Sequence, residues 1–316
     1  MLNTKQLSQF NELGYLVVED IVPAATLNSV LQEYDRLLTD LCQRWVGQGR
    51  LNKKVLHASF NDRIRAAYKA RLDYFQPLDI SLPPGDIKSN TPFHAGPAIF
   101  ALMTDERLLD VVEALIGSEI TSNPIQHVRI KPPASELTDD EIRAHIGHTD
   151  WHQDRAVTLA EADETNMVTV WVAVSDATVE NGCLQVIPKS HRQPMLRHCP
   201  APQLSIPDSE FALDTATPLP VKAGSAVLFH PQTIHSSLDN LSDTVRWSFD
   251  LRYNITGEAT GRPMFPEFVA RSRKNPASVM SDARHWRAMW ETARDSLAVE
   301  QPVVIHRWPE DPLYCA

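Results

Sequence analysis

The sequence predicts a mainly β domain with flanking helices, an antiparallel sandwich or jelly roll. Three observations carry this. Short β-branched runs with period-2 alternation fill residues 118–255. Proline, glycine and aspartate punctuate those runs, and apolar residues at helical spacing lie on either side of them. Several strands following a helical block favour antiparallel layers with helices packed outside.

In chain order, Thr4 can cap a short helix through Asn11 that ends at Gly14. YLVVEDIV then reads as a strand. Pro23 marks a helix start, after which Leu27, Val30, Leu31, Tyr34, Leu37, Leu38 and Leu41 recur at helical spacing. Residues 76–92 read as a loop, and Ala98 to Gly117 as a helix with Pro97 at its start. Clear strands follow at Asn166 to Ser175, Cys183 to Ile187, Ser225 to His230 and Thr244 to Asn254. In the first, Val168, Val170, Val172 and Val174 share one face, and Thr169, Trp171 and Ala173 the other. In the last, Val245, Trp247, Phe249, Leu251 and Tyr253 oppose Arg246, Ser248, Asp250 and Arg252. Residues 193–220 hold six prolines without a period and read as a lid or pocket wall, as does GRPMFPEFVARSR, residues 261–273. Asp282 to Leu297 returns to helix. We expect one domain over 1–316: a mostly helical part (1–117), the jelly-roll core (118–255) and a helical C-terminal extension (256–316).

Composition sets the outer limits. With 43% hydrophobic and 22% charged residues the chain is an ordinary globular one. A net charge of −10 speaks against a nucleic-acid surface, which needs clustered Lys and Arg. The N-terminus lacks a signal-peptide pattern, and the longest apolar stretch, Val168 to Val174, is far short of a membrane span. Cys42, Cys183, Cys199 and Cys315 form no C-x-x-C pair and suit reduced thiols in a cytoplasmic protein. The expected partner is a small-molecule substrate, with neither nucleic acid nor membrane.

The segment from His148 to Asp154 holds two successive His-x-Asp pairs, His148/Asp150 and His152/Asp154. In extended conformation all four side chains point to one face. Two histidines and one carboxylate with open positions form the facial triad of non-haem Fe(II) oxygenases. His235, just past the strand SAVLFH, is the candidate distal ligand; His230 reads better as a half-buried, hydrogen-bonded histidine. Arg246, eleven residues beyond His235, has Ser248 on its strand face. A guanidinium fork with a neighbouring hydroxyl suits the far carboxylate of a five-carbon diacid. NGCLQVIPKSH, residues 181–191, is a strand and loop able to form a pocket wall.

At these residues the sequence resembles the phytanoyl-CoA dioxygenase family of iron and 2-oxoglutarate enzymes. QFNELGYLVVEDIV, WHQD, VTVWVAVSDATVENGCLQVIPKSH and LFHPQTIHSSLDNLSDTVRWSFDLRY match in family order. The resemblance implies a double-stranded β-helix, with Fe(II), 2-oxoglutarate and O2 as cofactor and cosubstrates. It implies His152, Asp154 and His235 as metal ligands, leaving His148 and Asp150 outside. It implies Arg246, with Ser248, on the distal carboxylate and Trp171 in the pocket. Lys131 matches a lysine reaching the cosubstrate, with Gln126 as a rival. The implied reaction is hydroxylation of a small molecule with release of succinate and CO2. The same cofactors also serve desaturation, cyclisation and epimerisation. A non-catalytic binding module and a zinc hydrolase are the readings from other classes. Family halogenases replace the carboxylate ligand with a small residue, so Asp154 speaks for oxygen chemistry.

Overall fold

Alternation along a strand places every second side chain on the same face, and here one long strand organises both faces of the main sheet. The computed structural model describes residues 2–137, 146–200, 203–300, 307–309, 311 and 313–315. The strands among them are β1 (Tyr15–Val18), β2 (Glu119–Ser122), β3 (His127–Lys131), β4 (Thr149–His152), β5 (Met167–Ala173) and β6 (Leu184–Val186), followed by β7 (Thr217–Leu219), β8 (Ala226–Phe229), β9 (His235–Ser237), β10 (Arg246–Ile255) and β11 (Phe268–Ser272). The larger sheet runs β1-β8-β5-β10-β2-β11, with β3 also on β10; the smaller runs β4-β9-β6-β7. All these pairings are antiparallel. The predicted mainly β architecture with helices outside is what the chain adopts.

The helices are α1 (Thr4–Leu13), α2 (Ala24–Gly47), α3 (Phe60–Lys69), α4 (Phe75–Leu78), α5 (Pro97–Met103), α6 (Glu106–Ile116) and α7 (Ala283–Leu297). They cover one face of the larger sheet. On that face Trp247 stacks on Phe60 at 5.0 Å between ring centroids, and Tyr34 of α2 meets Phe249 edge-on. The Tyr253 hydroxyl donates to the carbonyl of Met103 at 2.8 Å. Both faces of β10 are buried almost throughout. Its apolar residues meet the helices and its polar ones face the smaller sheet, as its alternation predicts.

The inter-sheet space is divided by chemistry. Tyr15, Ala173, Val227, Leu184, Val186 and Leu219 form a small apolar core between the sheets. Beside it lies a polar cleft fed by β4, β5, β9 and β10.

Several local expectations need correction. Asn3, not Thr4, caps α1, through a reciprocal pair with Gln6, while Gly14 ends it in left-handed conformation as expected. Phe75–Leu78 makes a helical turn partly inside the expected 76–92 loop. The helix expected from Ala98 to Gly117 breaks at Thr104 and Asp105, because the Asp105 side chain accepts from the Arg107 amide and starts a second helix. The helical C-terminal extension contains β11, which extends the main sheet by pairing with β2. Cys199 and Cys315 form a disulfide, against the expectation of four reduced thiols; Cys42 and Cys183 are free and buried. No helix among the described residues is long and apolar enough to cross a membrane.

Candidate metal centre and cosubstrate cleft

Antiparallel pairing of β4 with β9 sets His152 directly opposite His235. Their rings lie 4.2 Å apart between centroids, and the His235 ring also packs on Phe229. The His152 Nδ1 donates to the carbonyl of Asp150 at 2.8 Å and the His235 Nδ1 to that of Thr233 at 2.9 Å. Each Nε2 therefore carries the lone pair, the form that binds a metal. Both Nε2 atoms face Asp154 Oδ1, at 3.7 and 4.0 Å. One ligand atom from each of the three residues lies within 4.8 Å of the others, and all three residues are buried. Burial, reinforced for His152 by its histidine neighbour, holds both imidazoles below their ordinary pKa and so neutral.

Asp154 opens a 3-10 turn directly after β4. Burial pushes its carboxyl up, but the charge of Arg252, the two imidazoles and the Thr169 hydroxyl outweigh that, and it stays below the usual carboxylate range. Arg252 reaches Oδ1 and Thr169 reaches Oδ2. Arg252 and Thr169 face each other across the β10–β5 pairing, so the register aims both at the same carboxylate. The sequence reading missed these two residues in the site. Their signal was present, since each shares a strand face with a residue that was singled out, Arg246 or Trp171. The 181–191 segment also contributes: the Ser190 hydroxyl accepts from the Ile234 amide at 2.8 Å and fixes the entry to β9.

Of the two His-x-Asp pairs, only the second converges. The β4–β9 register shifts between Thr149 and His152, which breaks the alternation that would have placed four side chains on one face. His148 stays exposed and bonds Asp150 at 3.0 Å and Asp239 at 2.9 Å. His230 is half-buried and accepts from the Gln232 amide at 3.2 Å.

Arg246 is 0% exposed, and its Nη1 donates to the Ser248 hydroxyl at 2.8 Å. Its Nε and Nη2 have no hydrogen-bond partner among the described residues. A buried guanidinium with a bare edge is costly unless an anion completes it. The charge sits 5.4 Å from the Trp171 ring centroid, and burial lowers its pKa to about 10. Lys131 lies opposite Arg246 in the β3–β10 pairing and donates to Ser237 and Thr149. Burial and the neighbouring Arg246 and Arg129 depress its pKa well below the usual lysine value. Gln126 is not brought into the cleft. It bonds the Ile80 carbonyl at 2.9 Å, and strand parity puts it with Val128 and Ile130 rather than with Arg129 and Lys131.

The two candidate walls are split as well. Arg262 and Phe265 line a cavity of about 200 Å³ that also meets His152, Arg129 and Arg252, so it adjoins the metal cleft. Arg271 lies elsewhere, tied to Glu106, Asp110 and Glu113 of α6. From the 193–220 segment Gln203 and Leu204 line the cavity, and the Ile206 amide bonds the Trp151 carbonyl at 2.7 Å. Residues 201 and 202 of that segment lie outside the described residues, as do residues 301–306, 310, 312 and 316 of the C-terminal part.

Over residues 10–248 the sequence matches the family described as phytanoyl-CoA dioxygenase (PhyH). The chain belongs to the PhyH family. Phytanoyl-CoA dioxygenase domain-containing protein 1 of Rattus norvegicus is 37% identical over 273 residues, covering 78% of this chain and 88% of its own. Ectoine dioxygenase of Sphingopyxis alaskensis is 24% identical and covers 88% of this chain and 85% of its own. Among solved structures, the apo form of the non-heme monooxygenase ThoJ shares the fold with a TM-score of 0.60 at 18% identity, over 93% of this chain and 97% of its own. PhyH proteins are iron- and 2-oxoglutarate-dependent oxygenases. The convergent donors and the bare guanidinium edge of this chain suit that ion and that diacid.

Proposed function

We propose that this PhyH protein hydroxylates a small molecule, consuming O2 and 2-oxoglutarate and releasing succinate and CO2. One observation carries the reading above all. The unpartnered edge of Arg246 borders the same cleft as His152, Asp154 and His235. A zinc hydrolase does not require such a cation, and a binding module with a remnant metal site has no reason to keep it together with a complete triad.

His152, Asp154 and His235 would hold the iron, leaving its remaining positions to cosubstrate and oxygen. When bound, the iron supplies the activation of O2 coupled to oxidation of 2-oxoglutarate and of a substrate C–H bond. Everything else is the work of the chain. Arg246, steadied by Ser248 and Trp171, grips the distal carboxylate, and Lys131 places its amino group beside it. Arg252 and Thr169 fix the Asp154 carboxylate, so that its rotation does not spoil the metal geometry. The walls contributed by the 193–220 segment and by residues 261–265 exclude bulk water from the reacting atoms.

The test is direct. Iron(II)-loaded enzyme should convert 2-oxoglutarate to succinate slowly without substrate, in an O2-dependent manner, and faster with the right metabolite. No succinate under any loading, with iron and 2-oxoglutarate both shown to bind, would defeat the proposal. Product mass then separates hydroxylation, which adds one oxygen, from desaturation, which removes two hydrogens.

A further inference from the structure

We infer that the cavity adjoining the metal cleft takes a substrate bearing a carboxylate on an apolar body, with Arg262 as the group that holds the carboxylate. The inference rests on the oxygenase reading above and names the substrate class for that site.

Arg262 is 6% exposed and lines the cavity. Among the described residues its guanidinium makes one hydrogen bond, from Nη1 to the Gly261 carbonyl at 3.0 Å, and has no carboxylate in ion-pair contact. This leaves the edge formed by Nε and Nη2, the edge that matches the two oxygens of a carboxylate. The other cations of the cavity wall are already committed: Arg129 to Asp250 and Arg252 to Asp154. Among the described residues the lining includes no aspartate or glutamate, although the chain as a whole carries a net charge of −10. A pocket wall of opposite sign to its protein, with one buried cation that has no ion-pair partner among the described residues, is complementary to an anion. The remainder of the wall is largely apolar, with Leu82, Ile125, Val157, Leu204 and Phe265. An apolar lining with one convergent charged group orients a ligand by that charge.

The position of Arg262 is fixed by main chain and not by its own rotamer alone. Gly261 has φ +74°, and a Cβ there would come within 2.5 Å of Thr158. That close approach lets the Leu159 amide bond the Gly261 carbonyl at 3.1 Å. Thr158 and Leu159 directly follow the 3-10 turn opened by Asp154. The turn that presents the metal ligand thus also seats the arginine, which ties the carboxylate end of the substrate to the reacting centre in a fixed relation.

The experiment uses the full chain loaded with iron and 2-oxoglutarate under anaerobic conditions. The probes are a panel of monocarboxylic acids and their primary amides, paired on identical aliphatic and aromatic bodies. Binding is read by isothermal titration for wild type, Arg262→Gln and Arg262→Lys. At least one acid should bind wild type tenfold or more tightly than its amide. That preference should vanish in Arg262→Gln and return in part in Arg262→Lys, with 2-oxoglutarate affinity unchanged within twofold in both. The inference is overturned if no acid outbinds its amide on wild type, or if the preference survives Arg262→Gln. Thermal denaturation shows whether Arg262→Gln has kept its fold; if it has not, the comparison rests on Arg262→Lys and wild type, where equal binding of acid and amide refutes the inference. Substrate-free succinate formation by wild type is measured in parallel. Its absence strikes at the oxygenase reading, while the acid-to-amide ratio does not depend on turnover.

Discussion

Replacing Arg246 with methionine should weaken cosubstrate binding without destabilising the apo protein. The guanidinium is fully buried, and only its Nη1 is hydrogen-bonded, to Ser248. Its bare Nε and Nη2 are the groups available to a diacid. Two charge-assisted bonds at about 1.5–3 kcal/mol each set the upper range of the loss. Lys131, which faces Arg246 across the strand pairing, retains part of the attraction. A net cost of about 2–5 kcal/mol follows, as for truncation of one member of a buried charge pair. The KM for 2-oxoglutarate should therefore rise roughly 30-fold to several-thousand-fold. In the absence of cosubstrate the same change removes an uncompensated buried charge. Apolar replacement of buried ionic groups is neutral or stabilising, by up to about 4 kcal/mol. Loss of the Ser248 bond and the Trp171 contact offsets part of this, so apo Arg246→Met should melt at or a few degrees above wild type. Succinate release at varied 2-oxoglutarate and thermal denaturation of the apo protein read the two quantities. A KM within threefold of wild type, or an apo protein that melts well below wild type, would show that Arg246 is a structural residue and would refute the reasoning.

Three further outcomes follow from other parts of the molecule. Chelation should lower the melting temperature by the lost binding energy, about 2.7 kcal/mol at a hundredfold excess over Kd, yet leave the protein folded, because Arg252 and Thr169 still compensate Asp154. Arg252→Met should accordingly cost more stability in the chelated form than in the metal-loaded form, and equal losses would contradict this role. Peptide mapping without reductant should recover Cys199 linked to Cys315, while Cys42 and Cys183 resist alkylation until unfolding. Reduction should destabilise by at most about 4–5 kcal/mol, the closure entropy of so long a loop, and alkylation of Cys199 in the native oxidised protein would disprove the pairing. His230 is held neutral by burial, with His191 and Arg155 adding to the effect, and its pKa falls to about 4. Folded and unfolded chains bind the same number of protons there above the ordinary histidine value near 6.5, so its contribution is complete above that pH. It is lost as pH falls toward 4, by up to about 3 kcal/mol, and His230→Gln should flatten that part of the stability curve measured by denaturant titration. An unchanged acid limb would remove His230 as its source.

Residue types and period-2 alternation alone determined a good deal about this protein. β10 shows the reach of that information: a strict alternation of apolar and polar residues specifies a strand with one apolar and one polar face, and the fold then buried both. The same local rule separated Val168, Val170 and Val172 from Thr169 and Trp171 on β5, and it marked Arg246 and Ser248 as neighbours. Tertiary structure decided whatever depends on which strand lies beside which, and in what register. The shift between Thr149 and His152 chose one His-x-Asp pair over the other. Cross-strand register brought Arg252 and Thr169 onto Asp154 and Lys131 beside Arg246, and strand parity kept Gln126 out. Pairing of Cys199 with Cys315 and the assignment of Arg271 to α6 likewise required distant segments to meet. The physical reason is common to all of them. Alternation is set within a residue's own backbone, whereas register, charge compensation and burial are properties of pairs, and a pair exists only once the chain has closed on itself.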